Sequence, residues 1–312
     1  MEMDLCGDYV FEGCKSLETV VIGRNCDYID DTTFKGCEKL AKIVIGGRVD
    51  EIRARAFEDF KNLVSVEINK ACEIGDFAFK GCEQLMAVTL QNPSYLHGIG
   101  NEAFKDCKGL LSIRIPEGVR YIGDYAFENA GCPEYEFSTM DSEGRENKVF
   151  ISGDDDLLII PESVKTIGEG AFKNCQSLKL VHIDSNCEVE EIPKDTFRGC
   201  KNLEQIIFSE NIKWIGDEAF YDCSLLDSME VPSSVETLGH KTFGKCTNLR
   251  VVLFNGDVQE EEDTFYDCDE IIKAKKESKP FSLKSIKKAI AKVFGKKKEK
   301  IEENDELDRD EK

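Results

Sequence analysis

The sequence predicts a repeat solenoid: about twelve coils of 22–25 residues, mainly short parallel strands and turns, spanning residues 1–272. Two observations predict it. A phenylalanine returns at that interval, as Phe11, Phe34, Phe57, Phe79, Phe104, Phe127, Phe172, Phe197, Phe220, Phe243 and Phe265. Along most of the chain it carries the same apolar escort, in the pattern I-G-x-x-A-F-x-x-C-x-x-L-x-x-V-x-I. The gap from Phe127 to Phe172 is two periods wide, and Phe150 stands where a degenerate twelfth copy needs its phenylalanine.

Each element of the unit has a physical reason. The copy over 99–116 reads Ile99-Gly100, Ala103-Phe104, Cys107, Leu110, Ile113, Ile115 and Pro116. Glycine follows the isoleucine in five copies (Gly75, Gly100, Gly123, Gly168 and Gly216) and Leu238 in a sixth (Gly239), as expected of a tight turn or a positive φ. The A-F pair sets a small residue beside a large one, so that successive layers interdigitate. The V-x-I segment has strand periodicity, which turns Val20, Ile22, Ile43 and Ile45 inward and Val21 and Val44 outward. Pro116, Pro161 and Pro232 end the strand because proline has no N–H to offer the ladder. One such unit buries too little apolar surface to offset its conformational entropy, whereas stacked neighbours share their faces. The coils therefore form one elongated domain.

The L-x-x-V-x-I spacing is that of a leucine-rich repeat strand. With it, the strings IGDYAFENA, IGEGAFKNCQSLKLVHI and IGDEAFYDCSLLDSMEVP resemble the BspA-like leucine-rich repeat family. The resemblance covers roughly residues 5–272. It implies a curved or twisted solenoid with a strand-lined concave side, no catalytic residues and no cofactor. It also implies a role in binding, since secreted bacterial members look like surface adhesins for host or microbial proteins.

Fourteen cysteines invite a disulfide or zinc reading, and their positions argue against both. Nine fall three residues after a repeat phenylalanine: Cys14, Cys37, Cys82, Cys107, Cys175, Cys200, Cys223, Cys246 and Cys268. That regularity marks a small buried site, which free cysteine fills as a compact apolar residue. The other five form no C-x-x-C pair, so no metal is expected. So many unpaired thiols suit a reducing compartment. His97, His182 and His240 lie in different repeats with no acid or nucleophile at a telling spacing, and no phosphate-loop or H-E-x-x-H motif occurs. The expectation is a protein without enzymatic activity or cofactor.

Two surfaces are candidates for a partner. The outward strand positions form two rows, and in the C-terminal half these carry Leu180, His182, Ile207, Val251 and Leu253. A contiguous exposed apolar patch there would bind protein. The segment 128–160 is read as an irregular insertion holding a hairpin around Asp141-Ser142-Glu143-Gly144-Arg145. Trp214, the one tryptophan, is expected to be packed or half-exposed.

The net charge of −21 is unevenly spread. Residues 273–300 hold 12 lysines and 2 glutamates, while 301–312 hold 7 acids and 2 bases, which leaves the repeat body near −26. So acidic a body repels nucleic acid. Residues 273–312 are expected to form a basic amphipathic helix and a disordered charged tail. The helix places Ile286, Ile290, Val293 and Phe294 on one face, with lysines around the rest. Three roles fit it: capping the last coil, engaging a separate partner, or weak contact with a membrane surface through 281–300. The acidic N-terminal run MEMDLCGDYVFEGC has no basic start and no apolar core, so the reading is a cytoplasmic protein. An incomplete N-terminus would instead allow a cell-surface adhesin.

Overall fold

The computed structural model describes residues 9–275, apart from 24–25, 91–94, 111–114, 132–137, 141–145, 149–156 and 270. The predicted tail helix, with Ile286, Ile290, Val293 and Phe294, and the charged end of the chain lie outside the described residues. So does Phe150. The described chain is a parallel β-solenoid with two rows of strands.

The first row is the predicted one. It includes Thr19–Ile22, Ala87–Leu90, Leu157–Ile160, Leu180–Ile183, Gln205–Ile207, Ser228–Val231, Val251–Phe254 and Ile272–Lys275. The sequence reading described the return path only as turns, but it carries a second row. This includes Cys26–Ile29, Gly98–Ile99, Tyr121–Ile122, Thr166–Ile167, Glu191–Ile192, Trp214–Ile215, Thr237–Leu238 and Gln259–Glu260. The strands Lys42–Ile52 and Ser65–Ile74 run through both rows, with a shift of register between Ile45 and Arg48. The second row is two residues long in most coils, too short for its alternation to show as a pattern. The last first-row strand pairs with Val251–Phe254 through Lys275, three residues beyond the boundary drawn from sequence at 272.

The core is a continuous stack of phenylalanine rings. Ten successive centroid separations fall between 5.1 and 5.7 Å, with rings close to parallel. Phe127 stacks directly on Phe172, and Tyr121–Ile122 pairs directly with Thr166–Ile167. The expected twelfth coil around Phe150 is therefore not inserted in the stack, which has eleven rungs. The extra residues, 132–156, lie in sequence between Gly131 and the strand Leu157–Ile160. They carry the predicted hairpin, as Ser138–Met140 antiparallel to Glu146–Lys148.

Three ladders join the coils at their corners. Each buried cysteine of the repeat donates its thiol proton to the carbonyl of the phenylalanine one coil back, as in Cys82 to Phe57 (3.0 Å), Cys200 to Phe172 (3.1 Å) and Cys246 to Phe220 (3.1 Å). The position thus selects a small apolar residue that is also a donor, since an orphaned carbonyl there would cost free energy. After four of the I-G pairs, a short polar side chain accepts the backbone N–H of the next coil. Asp76 takes Asn101 at 2.7 Å, Asn101 takes Asp124 at 2.8 Å and Asp124 takes Glu169 at 2.8 Å.

The third ladder is ionic and runs Lys80–Glu102–Lys105–Glu128–Lys173–Asp195–Arg198, with separations from 2.6 Å (Lys80–Glu102) to 3.9 Å (Lys173–Glu128), and Arg198 pairs in turn with Glu218. Burial alone would raise the Glu102 carboxyl, but Lys80 and Lys105 outweigh it and hold it below the ordinary range.

The repeat glycine is explained by crowding and not by φ. Gly75, Gly100, Gly123, Gly168, Gly216 and Gly239 all lie outside the left-handed region. A Cβ on Gly168 would fall 2.4 Å from the Asp124 nitrogen, and one on Gly123 2.5 Å from that of Asn101. Positive φ occurs instead two residues before the phenylalanine in most rungs, on residues as varied as Arg55, Phe77 and Glu102, and two residues after it, a position held by Gly, Asn or Asp in every rung except Lys245. Those residue types tolerate the left-handed region best.

Candidate functional site

Both strand rows turn side chains outward, and the two faces differ in chemistry. On the second face the polar groups satisfy one another. The Tyr121 ring lies across Gly98, where a Cβ would meet it at 2.1 Å, and its hydroxyl donates to Glu73. The Arg53 guanidinium sits 3.4 Å from the Tyr28 ring centroid and pairs with Glu51 at 3.3 Å. Trp214 is 40 % exposed on this face, between Glu191 and Thr237 in register.

The first face changes along its length. Its N-terminal half is mostly polar, with Thr19, Ser65, Thr89 and a Lys42–Glu67 ion pair at 2.6 Å beside Val21 and Val44. Its C-terminal half is apolar. One outward row there runs Leu157, Leu180, Gln205, then Ser228, Val251, Ile272; the other runs Ile159, His182, Ile207, then Glu230, Leu253, Ala274.

The five predicted residues all lie on this face, but their exposure divides them. Leu180 and Ile207 are only 4 % and 6 % exposed, which corrects the expectation of an open patch at those positions. They form a covered floor. His182 is half-buried between Ile159 and Ile207, and burial pushes its imidazole below the ordinary range. Val251 and Leu253 are half-buried. The open part of the patch is Ile159, 47 % exposed, with the half-buried Leu157 beside it, and Ile272 at the far end. Sequence reasoning missed these residues because it gave the coil of Phe127 no strand and ended the outward rows at Leu253. The signal was present: Leu157-Leu158-Ile159-Ile160-Pro161 matches the strand-and-proline ending of other copies.

His240 has a partner that linear spacing concealed. Its Nδ1 lies 3.0 Å from Asp263 Oδ1, one coil on, and this carboxylate raises the imidazole pKa. The pair is exposed and belongs to the corner contacts. Among the described residues no group of three His, Cys, Asp or Glu side chains is placed to hold a metal, and no helix is long and apolar enough to cross a membrane.

A stack of short parallel strands with one inward apolar row, an asparagine- or aspartate-bearing corner and an exposed strand face defines a leucine-rich repeat solenoid, a class of binding scaffold. Within that class the chain belongs to the BspA-type family: the description "BspA type Leucine rich repeat region" matches residues 5–134 and 145–272, in six copies. Among solved structures the chain is similar to a leucine-rich repeat protein of T. pallidum, with 26 % identity, 67 % of this chain and 83 % of that one covered, and a TM-score of 0.46. A leucine-rich repeat protein of Bacteroides ovatus is 23 % identical over 86 % of this chain and 77 % of that one, with a TM-score of 0.37. A leucine-rich cell surface protein of Faecalibacterium prausnitzii is 23 % identical over 80 % and 82 %, with a TM-score of 0.41. No curated protein matches the chain.

Proposed function

We propose that this protein is a non-enzymatic recognition module that binds a protein partner through the C-terminal half of its first strand face. The observation that carries the reading is the contrast between faces. The second face closes its polar groups on one another, whereas the first leaves Ile159 and Ile272 open above the floor of Leu180 and Ile207. Apolar side chains held on rigid strands offer contact area at little ordering cost. A photo-crosslinking residue placed at Ile159 or Ile272 should yield adducts with the partner in source cells, and one at Thr166 or Thr237 should not. Adducts confined to the second-face positions would overturn the reading.

A reducing compartment, the cytoplasm, suits this chain because its buried thiols act as hydrogen-bond donors, a role that requires the reduced form. Protease added to intact cells should leave the protein whole, and digestion only after lysis would agree. Loss of the intact band from whole cells would place it at the surface.

A further inference from the structure

Two carboxylates at the rim of the apolar part of the first face meet no cation among the described residues. Asp184 follows the strand Leu180–Ile183 and accepts the Asn186 N–H at 2.8 Å; Glu210 follows Gln205–Ile207 and accepts the Ser233 hydroxyl at 3.4 Å. Both donors are neutral. Among the described residues no lysine or arginine pairs with either carboxylate, in contrast to the alternating corner ladder, where each acid meets a cation. Glu230 lies in the outward row itself, one coil before Leu253, and accepts from Asn255 at 3.3 Å. Unpaired negative charge, that of Asp184 and Glu210, thus sits at the rim of the apolar strip.

We propose that the partner segment seated on this face is a basic amphipathic α-helix. The inference rests on the first-face reading above and adds the chemistry of the occupant. A strand is disfavoured because the first-row strands hydrogen-bond along the stack, as Leu180–Ile183 does to the coils on either side, so the face itself presents side chains and not a backbone ladder. A helix fits the spacing. Coils rise about 4.8 Å each and a helix about 5.4 Å per turn, so a helix lying along the stack meets roughly one coil per turn. Ile159 and Leu253 are four coils apart, about 19 Å, which a helix spans in about 13 residues. Its apolar side chains occupy the ends of that span, over Leu157 and Ile159 and over Val251 and Leu253. Lysines or arginines flank the stripe toward Asp184 and Glu210.

Fluorescence anisotropy on the full chain tests this with three labelled peptides of about 18 residues. One is a Leu/Lys amphipathic helix, one carries Glu in place of Lys, and one is the Leu/Lys composition scrambled. The Leu/Lys helix should bind at least tenfold more tightly than either other peptide. Ile159→Asn should weaken it about tenfold, the pair Asp184→Asn and Glu210→Gln several-fold, and Val21→Asn on the other half of the face less than twofold. All four substituted residues are solvent-accessible, and thermal melts verify that each variant is folded. If Ile159→Asn weakens both helices alike while the charge-neutral pair changes nothing, the basic-partner inference is wrong and the face reading stands. If Ile159→Asn and Val21→Asn are both without effect, the peptide binds elsewhere on the acidic body and both readings fall.

Discussion

Phe127 stacks on Phe172 at 5.6 Å and within 4° of parallel, although 45 positions separate them in the chain. The same coils are joined by Asn174 Nδ2 donating to Asn129 Oδ1 at 3.0 Å and by Cys175 donating to the Phe127 carbonyl at 3.0 Å. The ring stack, the thiol bond and the second-row pairing that join ordinary coils are thus present across the excursion. The stack therefore passes directly from the rung of Phe127 to that of Phe172.

It follows that the excursion is dispensable for folding. Replacing residues 132–156 with Ser-Leu-Lys, the residues that precede the strand in the next coil, should leave the melting temperature unchanged or higher. The new leucine would occupy the core position held there by the fully buried Leu178. A fall of more than about 5 °C by calorimetry, roughly 1–2 kcal/mol for a chain of this size, would show that the excursion contributes to the stack.

The crowding at the repeat glycine predicts a large and local sensitivity. Gly168→Ala would drive a methyl into backbone that cannot move without shifting a coil, and should cost about 3 kcal/mol or more. Gly23→Ala, with nothing within 4 Å of the added carbon, should stay within about 0.5 kcal/mol. Urea titrations of the two variants make the comparison.

Lys245 is the one side chain in its row unsuited to the left-handed region, at φ 57°. Lys245→Asn should stabilise the protein by about 0.5–1 kcal/mol, since asparagine tolerates that conformation. The same denaturation series reports it as a higher midpoint with an unchanged slope.

The thiols should be chemically silent until the fold opens. Burial pushes the Cys200 pKa up to about 12, so essentially no thiolate is present at pH 8. Iodoacetamide followed by peptide mapping should label the exposed Cys14 and leave Cys200 and Cys223 unmodified until denaturant is added. Labelling of Cys200 in native buffer at the rate of Cys14 would contradict the ladder.

The ionic ladder predicts a window of pH. Glu102 is held below its ordinary value of 4.5, so its contribution is complete above that value and is lost as acid protonates it. Lys105 is raised: burial opposes its charge, but Glu128 and Glu102 outweigh that, so its contribution is complete below 10.5 and fades as the pH rises through its higher folded value. Glu102→Gln should therefore lower the melting temperature near pH 7 and cease to do so in acid well below 4.5, where protonation has already broken the wild-type ladder.

Much of this was legible in the sequence, and the division has a physical basis. The phenylalanine interval, the inward Val20, Ile22, Ile43 and Ile45 and the cysteine row follow from local periodicity, because each coil must present the same faces to identical neighbours. The outward direction of Leu180, His182, Ile207, Val251 and Leu253 follows from strand alternation in the same way. What the tertiary structure alone decided are relations between coils. It decided that Phe172 and not Phe150 follows Phe127, that Gly168 is required by the backbone of Asp124, and that His240 meets Asp263. It decided too that Leu180 and Ile207 are covered while Ile159 is open. Direction is a property of one strand, whereas exposure and contact depend on what the adjacent coils bring, and that is set only once they stack.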